Sequence, residues 1–295
     1  MFKGSIPALV TPMTADGAID FAAWDRVLDF HVNSGTDGIV VGGTTGESPT
    51  LERSEIAELV RRARSRVGGR MPVIAGSGTN STRTTIALSQ AVEAAGADAL
   101  LLVTPYYNKP TQEGLVRHFS AVADAVGIPI VLYNVPGRTG CDMLPATIAR
   151  LSQHPRIAAV KEATGDVERA APILTACRSG FQLISGDDPT AAQLMRAGAC
   201  GVISVTANVA ARAMHDVCAA ALAGRLAEAV SLNDALMPLH MAMFVEANPI
   251  PVKWALQRLG LIGPGIRLPL TPLSDRFHAQ VAAAMAAVGV LPAAA

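Results

Sequence analysis

Short apolar runs alternate along this chain with stretches in which apolar residues recur every three or four positions. The first run is "SIPALV" (5–10). From Asp20 to Ser34, Trp24, Val27, Leu28 and Val32 fall on one helical face, and the pattern stops at Gly35. "DGIVV" (37–41) follows, then a helix marked by Ile56, Leu59, Val60 and Ala63 and ended by Gly68 and Gly69. "PVIAG" (72–76) precedes a helix from Ser81 to Ala95, and "DALLLV" (98–103) precedes one carrying Leu115, Phe119, Val122 and Val126. "IPIVLY" (128–133) leads to a helix near 143–153, and "IAAVK" (157–161) to one around 167–178. "FQLIS" (181–185) precedes "DDPTAAQLMRAG", where Asp188 suits the N-cap, Pro189 the first helical position and Gly198 the position after the C-cap. "CGVIS" (200–204) is the eighth run.

Eight strand-like runs separated by helices predict parallel βαβ units. An open doubly wound sheet and a closed (β/α)8 barrel both satisfy that order. Regular spacing of eight units within about 205 residues favours the barrel. Beyond it only helical patterns occur, at 209–223, 225–241, 249–259 and 275–287. The chain therefore reads as a barrel over 1–224 with a C-terminal helical region, 225–295, packed on it. No low-complexity linker marks that region as an independent unit.

Composition narrows the function classes. Half of the 295 residues are hydrophobic, and 24 basic residues balance 24 acidic ones with no like-charge block. Nothing in this balance attracts nucleic acid or an anionic membrane surface. The apolar run in "MFKGSIPALVTP" is too short for a signal peptide. The Ala-rich tail "AQVAAAMAAVGVLPAAA" is shorter than the ~20 residues a membrane span needs, and reads as a terminal helix with a frayed end. Cys141, Cys177, Cys200 and Cys218 show no CxxC spacing, which suits reduced thiols in a cytoplasmic protein. The six histidines form no HxH or HxxxH pair, so no metal site is expected.

In a barrel of this kind chemistry gathers at the C-terminal ends of the strands. Those ends carry "GGTTGE", "SGTN", "TPYYNKPTQEG", "YNVPGRTG", Lys161, "SGDD" and "SVTAN". Lysine is rare here, four residues (Lys3, Lys109, Lys161, Lys253) against twenty arginines. Lys161 ends an apolar strand, where an unpaired ammonium drawn out of water is costly. An ordinary lysine, with a pKa of ~10.4, is neutral in roughly one molecule in a few thousand at pH 7. Desolvation is what makes such an amine a nucleophile, and imine formation with a carbonyl substrate is its natural task. The alternative is a lysine paired with Glu162 or another carboxylate. Lys3, Lys109 and Lys253 are expected in solvent, Lys253 in the first turn of a helix. "GTTGE" (43–47) offers tight turns, backbone N–H groups and two hydroxyls, a cradle for a carboxylate. Tyr133 could relay a proton, Arg138 could hold a second carboxylate bidentately, and "SGDD" (185–188) reads as a turn and helix cap.

As a set, GTTGE, YYNKPTQEG, YNVPGRTG, KEATGD, SGDD and NPIPVKWAL resemble the dihydrodipicolinate synthase family, among the class I aldolases related to N-acetylneuraminate lyase. The match runs in order over essentially the whole chain. The resemblance implies a (β/α)8 barrel that condenses pyruvate with L-aspartate 4-semialdehyde on the way to diaminopimelate and lysine, with no cofactor. It implies that Lys161 forms the imine and that Thr44 and Thr45 hold the pyruvate carboxylate, Thr45 through its backbone N–H. Tyr133 would exchange protons, coupled through the Thr44 hydroxyl to Tyr107 from a neighbouring subunit. The protein would then be at least a dimer, and in this family is usually a tetramer. Arg138 would bind the semialdehyde carboxylate, and Gly186 and Ile203 would line the site. Ser48, Asn80 and Tyr106 match the family's lysine-effector site at the dimer interface. Arg53 and Ile56 stand where histidines are common, and Thr84 where lysine-sensitive members often carry glutamate, so weak or absent inhibition by lysine is expected.

Two other readings remain open at this point. A related aldolase could take a different aldehyde, such as N-acetylneuraminate, a keto-deoxy sugar or a hydroxy-oxo acid; Arg138 argues for an aldehyde bearing a carboxylate. A non-catalytic binder on the same barrel would be expected to have lost a tyrosine or the lysine. "GSGTNS" lacks the full dinucleotide spacing and no P-loop occurs, which disfavours a nucleotide-binding open sheet.

Overall fold

The protein is described by a computed structural model over residues 2–291. The end of the tail expected to fray, 292–295, lies outside the described residues.

The eight apolar runs form eight parallel strands: β1 (Gly4–Pro7), β2 (Ile39–Val41), β3 (Val73–Gly76), β4 (Ala99–Val103), β5 (Ile130–Asn134), β6 (Ile157–Glu162), β7 (Gln182–Ser185) and β8 (Gly201–Ser204). Their order is β1-β8-β7-β6-β5-β4-β3-β2. The circle closes between β1 and β2, where the Leu9 N–H donates to the Val40 carbonyl at 2.9 Å and the Asp37 N–H to the Ser5 carbonyl at 3.1 Å. The barrel expectation holds, and the open-sheet alternative is excluded.

The helices between strands are α1 (Phe21–Asn33), α2 (Arg53–Val67), α3 (Thr82–Ala94), α4 (Gln112–Asp124), the single turn α5 (Pro136–Thr139), α6 (Pro145–Ser152), α7 (Ala170–Ala176) and α8 (Ala191–Arg196). After β8 come α9 (Ala211–Leu222), α10 (Leu226–Ala235), α11 (Met237–Ala242), α12 (Ile250–Arg258) and α13 (His278–Ala287). Strand side chains alternate between two cores. An inner cluster includes Ile6, Val40, Ile74, Leu101, Val131, Ala159, Ile184 and Ile203. An outer one joins the strands to the helices and runs on through Leu239, Val252, Leu256 and Met285.

Two expectations need correction. The helical pattern over 225–241 is interrupted. Pro238 has no N–H to give to the turn before it, and α10 ends at Ala235 before α11 begins. Asp188 does not cap α8, whose N-cap is Thr190. Its carboxylate instead accepts from the N–H groups of Val205 and Thr206, both at 2.9 Å, and so ties the end of β7 to the exit of β8. Gly198, with φ +112°, does follow the α8 C-cap residue Ala197.

Candidate active site

Lys161 lies on β6 with Tyr133 of β5 and Ile184 of β7 as its register partners. Neighbouring strand residues face opposite ways, so Lys161 follows Ala159 into the barrel while Glu162 follows Val160 out of it. That parity decides between a free and a paired lysine. Glu162 is buried outside the strands, accepting from Arg169 Nε at 3.2 Å and the Thr164 N–H at 3.0 Å. Lys161 is 6% exposed and forms no salt bridge among the described residues. Its Nζ stands over the Tyr133 ring, 4.1 Å from the centroid.

A cavity of about 110 Å³ opens above Lys161, walled by Thr44, Thr45, Tyr133, Arg138 and Gly186, with Asn248 completing it. Gly186 is required by space. A Cβ there would stand 2.8 Å from Lys161 Cε and 2.6 Å from the Ala163 Cβ. Thr45 is buried, and its hydroxyl accepts from Asn248 Nδ2 at 3.0 Å, which leaves its own hydrogen free to donate. Arg138, on α5, donates to the Asn248 carbonyl at 3.3 Å. Ile203 is buried in the barrel interior, two residues before Val205, which reaches the cavity wall.

Thr44, Val135 and Arg138 also border a second, outer chamber of about 230 Å³. Ser48 and Tyr106 line it, as does Ile56. Asn80 is not among its walls; it follows the lining residue Thr79, and its carbonyl accepts from Asn108 Nδ2 at 2.8 Å. Tyr107 is the one predicted catalytic residue that the chain does not bring to its own cavity. It is 89% exposed on the loop after β4, with φ +74°.

Sequence reasoning misses part of this arrangement. Phe244 lines the inner cavity although nothing in the pattern singles it out, and Asp187 and Asn248 line it as well, marked beforehand only by their places in SGDD and NPIPVKWAL. Lys253 is in the first turn of α12 as expected, but it is not in solvent. It is 5% exposed and pairs with Glu47, the last residue of GTTGE. Burial pushes its amine below the ordinary lysine range, against the opposing pull of the Glu47 carboxylate. Beyond the rarity of lysine in the chain, the only signal for this pair is its place inside GTTGE and NPIPVKWAL. No helix among the described residues is long and apolar enough to cross a membrane, and the four cysteines are unpaired.

A closed (β/α)8 barrel whose sixth strand delivers a lysine without a carboxylate partner into a small polar cavity has the frame of a lysine-dependent aldolase. Residues 1–288 match the Dihydrodipicolinate synthetase family, and the chain belongs to it. The 4-hydroxy-tetrahydrodipicolinate synthase of Pseudomonas aeruginosa is 57% identical over 291 residues, covering 99% of this chain and all of that one. The enzyme of the same name from Thiobacillus denitrificans is also 57% identical, covering 96% of each chain. Among solved structures, the dihydrodipicolinate synthase of Acinetobacter baumannii complexed with pyruvate superposes with a TM-score of 0.97 at 48% identity, covering 99% of this chain and all of that one.

Proposed function

We propose that this chain is a 4-hydroxy-tetrahydrodipicolinate synthase that joins pyruvate to L-aspartate 4-semialdehyde through an imine on Lys161. The observation that carries the reading is the buried Lys161 amine, without a carboxylate partner and facing a cavity lined by both threonines. The Lys161 nitrogen attacks the pyruvate keto carbon, and loss of water leaves a protonated imine. The ring face of Tyr133 favours the charge on that nitrogen. The imine draws electrons from the methyl carbon, which loses a proton and attacks the aldehyde carbon; the aldehyde oxygen takes up a proton. The amino group of the semialdehyde then displaces Lys161 at the imine carbon, closing the ring and freeing the enzyme.

Thr44 and Thr45 hold the pyruvate carboxylate, and Tyr133 carries the protons. Arg138, at the rim shared by the two chambers, receives the carboxylate of the semialdehyde. Tyr107, exposed on its own subunit, serves the site of a neighbour, so the working unit is at least a dimer and by family habit a tetramer. Gly186 and Ile203 shape the walls. The test is borohydride reduction with pyruvate followed by mass spectrometry. The expected result is one pyruvate-derived adduct on Lys161 and none in Lys161→Ala. An adduct on another lysine, or turnover of N-acetylneuraminate above that of aspartate semialdehyde in a coupled assay, refutes the reading.

A further inference from the structure

Glu47 closes the GTTGE run, and its side chain is fully buried at 0% exposure. One carboxylate oxygen pairs with the Lys253 ammonium on α12, and the other accepts from the Arg267 N–H at 3.0 Å. The Glu47 backbone lies in the left-handed region, φ 61° and ψ 36°. A residue with a side chain of this kind persists there only where its surroundings hold it. The same loop is held from beneath, where the Thr11 hydroxyl donates to the Gly46 carbonyl at 2.8 Å. Asn248 grips it a second time from the C-terminal side by donating to the Thr45 hydroxyl. Residues 248–253 thus meet the threonine loop at two points.

Neither Glu47 nor Lys253 lines the cavity above Lys161. A buried ion pair is also a poor source of stability, because both charges must leave water. What the pair does supply is fixed geometry at the base of a loop whose hydroxyls must meet a substrate. We infer that Glu47 and Lys253 are positioning residues for the keto acid: their ion pair sets the 43–47 loop so that Thr44 and Thr45 aim their donors at its carboxylate. This rests on the imine reading above. The semialdehyde is held by Arg138, which among the described residues touches the 248–253 segment only through one long bond to the Asn248 carbonyl at 3.3 Å and makes no contact with Glu47 or Lys253, and it should feel the pair less.

The experiment compares the full-length protein with Glu47→Gln, Lys253→Met and the double variant. Three quantities are read: the pyruvate concentration that half-saturates borohydride trapping on Lys161, the KM for aspartate semialdehyde, and the thermal midpoint. Each single variant should raise the pyruvate half-saturation about tenfold or more while the semialdehyde KM moves less than about twofold, since displaced donors cost most where they act. The double variant leaves no lone buried charge and should recover much of the midpoint while still trapping pyruvate weakly. A double variant that traps pyruvate as readily as the wild type overturns the inference, as do single variants that weaken both substrates alike. Wild-type protein that fails to trap pyruvate on Lys161 sinks the proposed function itself. When the wild type does trap it, a loss or retention of trapping in the variants bears on the ion pair alone.

Discussion

Two lysines are buried near the C-terminal end of this barrel, and they differ in one respect. Lys161 and Lys253 are 6% and 5% exposed. Lys161 points into a cavity and rests on an aromatic face, whereas Lys253 is locked to a buried carboxylate. Burial alone does not make an amine a nucleophile. An adjacent carboxylate favours the ammonium and occupies it, and a lysine so held secures structure instead. In the proposed function the nucleophile is the lysine whose strand neighbour Glu162 is turned away by the two-residue period of the strand, to be taken up by Arg169.

The largest expected effect breaks the first half of that contrast. Lys161→Ala should lower turnover by roughly 10⁴-fold or more, with the covalent route gone, while the thermal midpoint holds or rises. Steady-state kinetics and a melting curve check both parts; a large loss of stability would mean that Lys161 is a structural residue after all. Lys253→Met tests the other half. It strands the Glu47 carboxylate in the interior and should cost about 3–5 kcal/mol in chemical denaturation. If Lys161→Met costs as much, the two lysines are not distinct in kind.

Gly186→Ala presses on Lys161 without removing it. The new methyl would fall 2.6 Å from the Ala163 Cβ and within 2.9 Å of two Lys161 carbons, so the lysine side chain must swing aside and the local backbone give way as well. Turnover should drop about 10²-fold while the protein still folds, read by kinetics beside a circular-dichroism melt.

A smaller effect comes from acid, through buried groups remote from either lysine. Burial pushes His31 down to about 3 and His118 to about 4. Across the interval below the ordinary histidine value of ~6.5, the unfolded chain binds more protons than the folded one. Stability is therefore full above that value and falls on acidification, by up to about 1.4 kcal/mol per pH unit per histidine. Thermal midpoints between pH 7 and 5 should decline, and His31→Gln should flatten the slope. The smallest effect concerns the outer chamber, where Ile56 is a wall and Thr84 lies exposed outside it. With no carboxylate at Thr84 for a ligand ammonium, L-lysine should inhibit weakly or not at all. Half-inhibition at low-millimolar lysine would contradict this.

Seven of the eight strands are legible to within one or two residues, and the first to within three, because each is a short apolar run facing a core on both sides. Helix ends at Gly35, Gly68 and Gly198 are legible for a local reason, the left-handed backbone that glycine adopts freely. The break within 225–241 is hidden although Pro238 marks it, because an apolar helical period carries across the gap. Asp188 suits a cap by its place beside Pro189, but two backbone N–H groups seventeen and eighteen residues away lie within its reach. Asn248 and Lys253 carry no recognisable role in the pattern, since their partners Thr45 and Glu47 lie more than two hundred residues earlier.

By itself the sequence determined the order of strands and helices, the gathering of polar loops at one end of the barrel, and the choice of Lys161 as the odd residue on an apolar strand. These follow from periodicity and from side-chain chemistry, both of which are local. Only the tertiary structure decided which buried lysine is paired, which glycine must leave room for the other, and which distant segment grips the threonine loop. Those outcomes depend on which groups meet across the barrel after the chain has closed, and no local pattern encodes that distance.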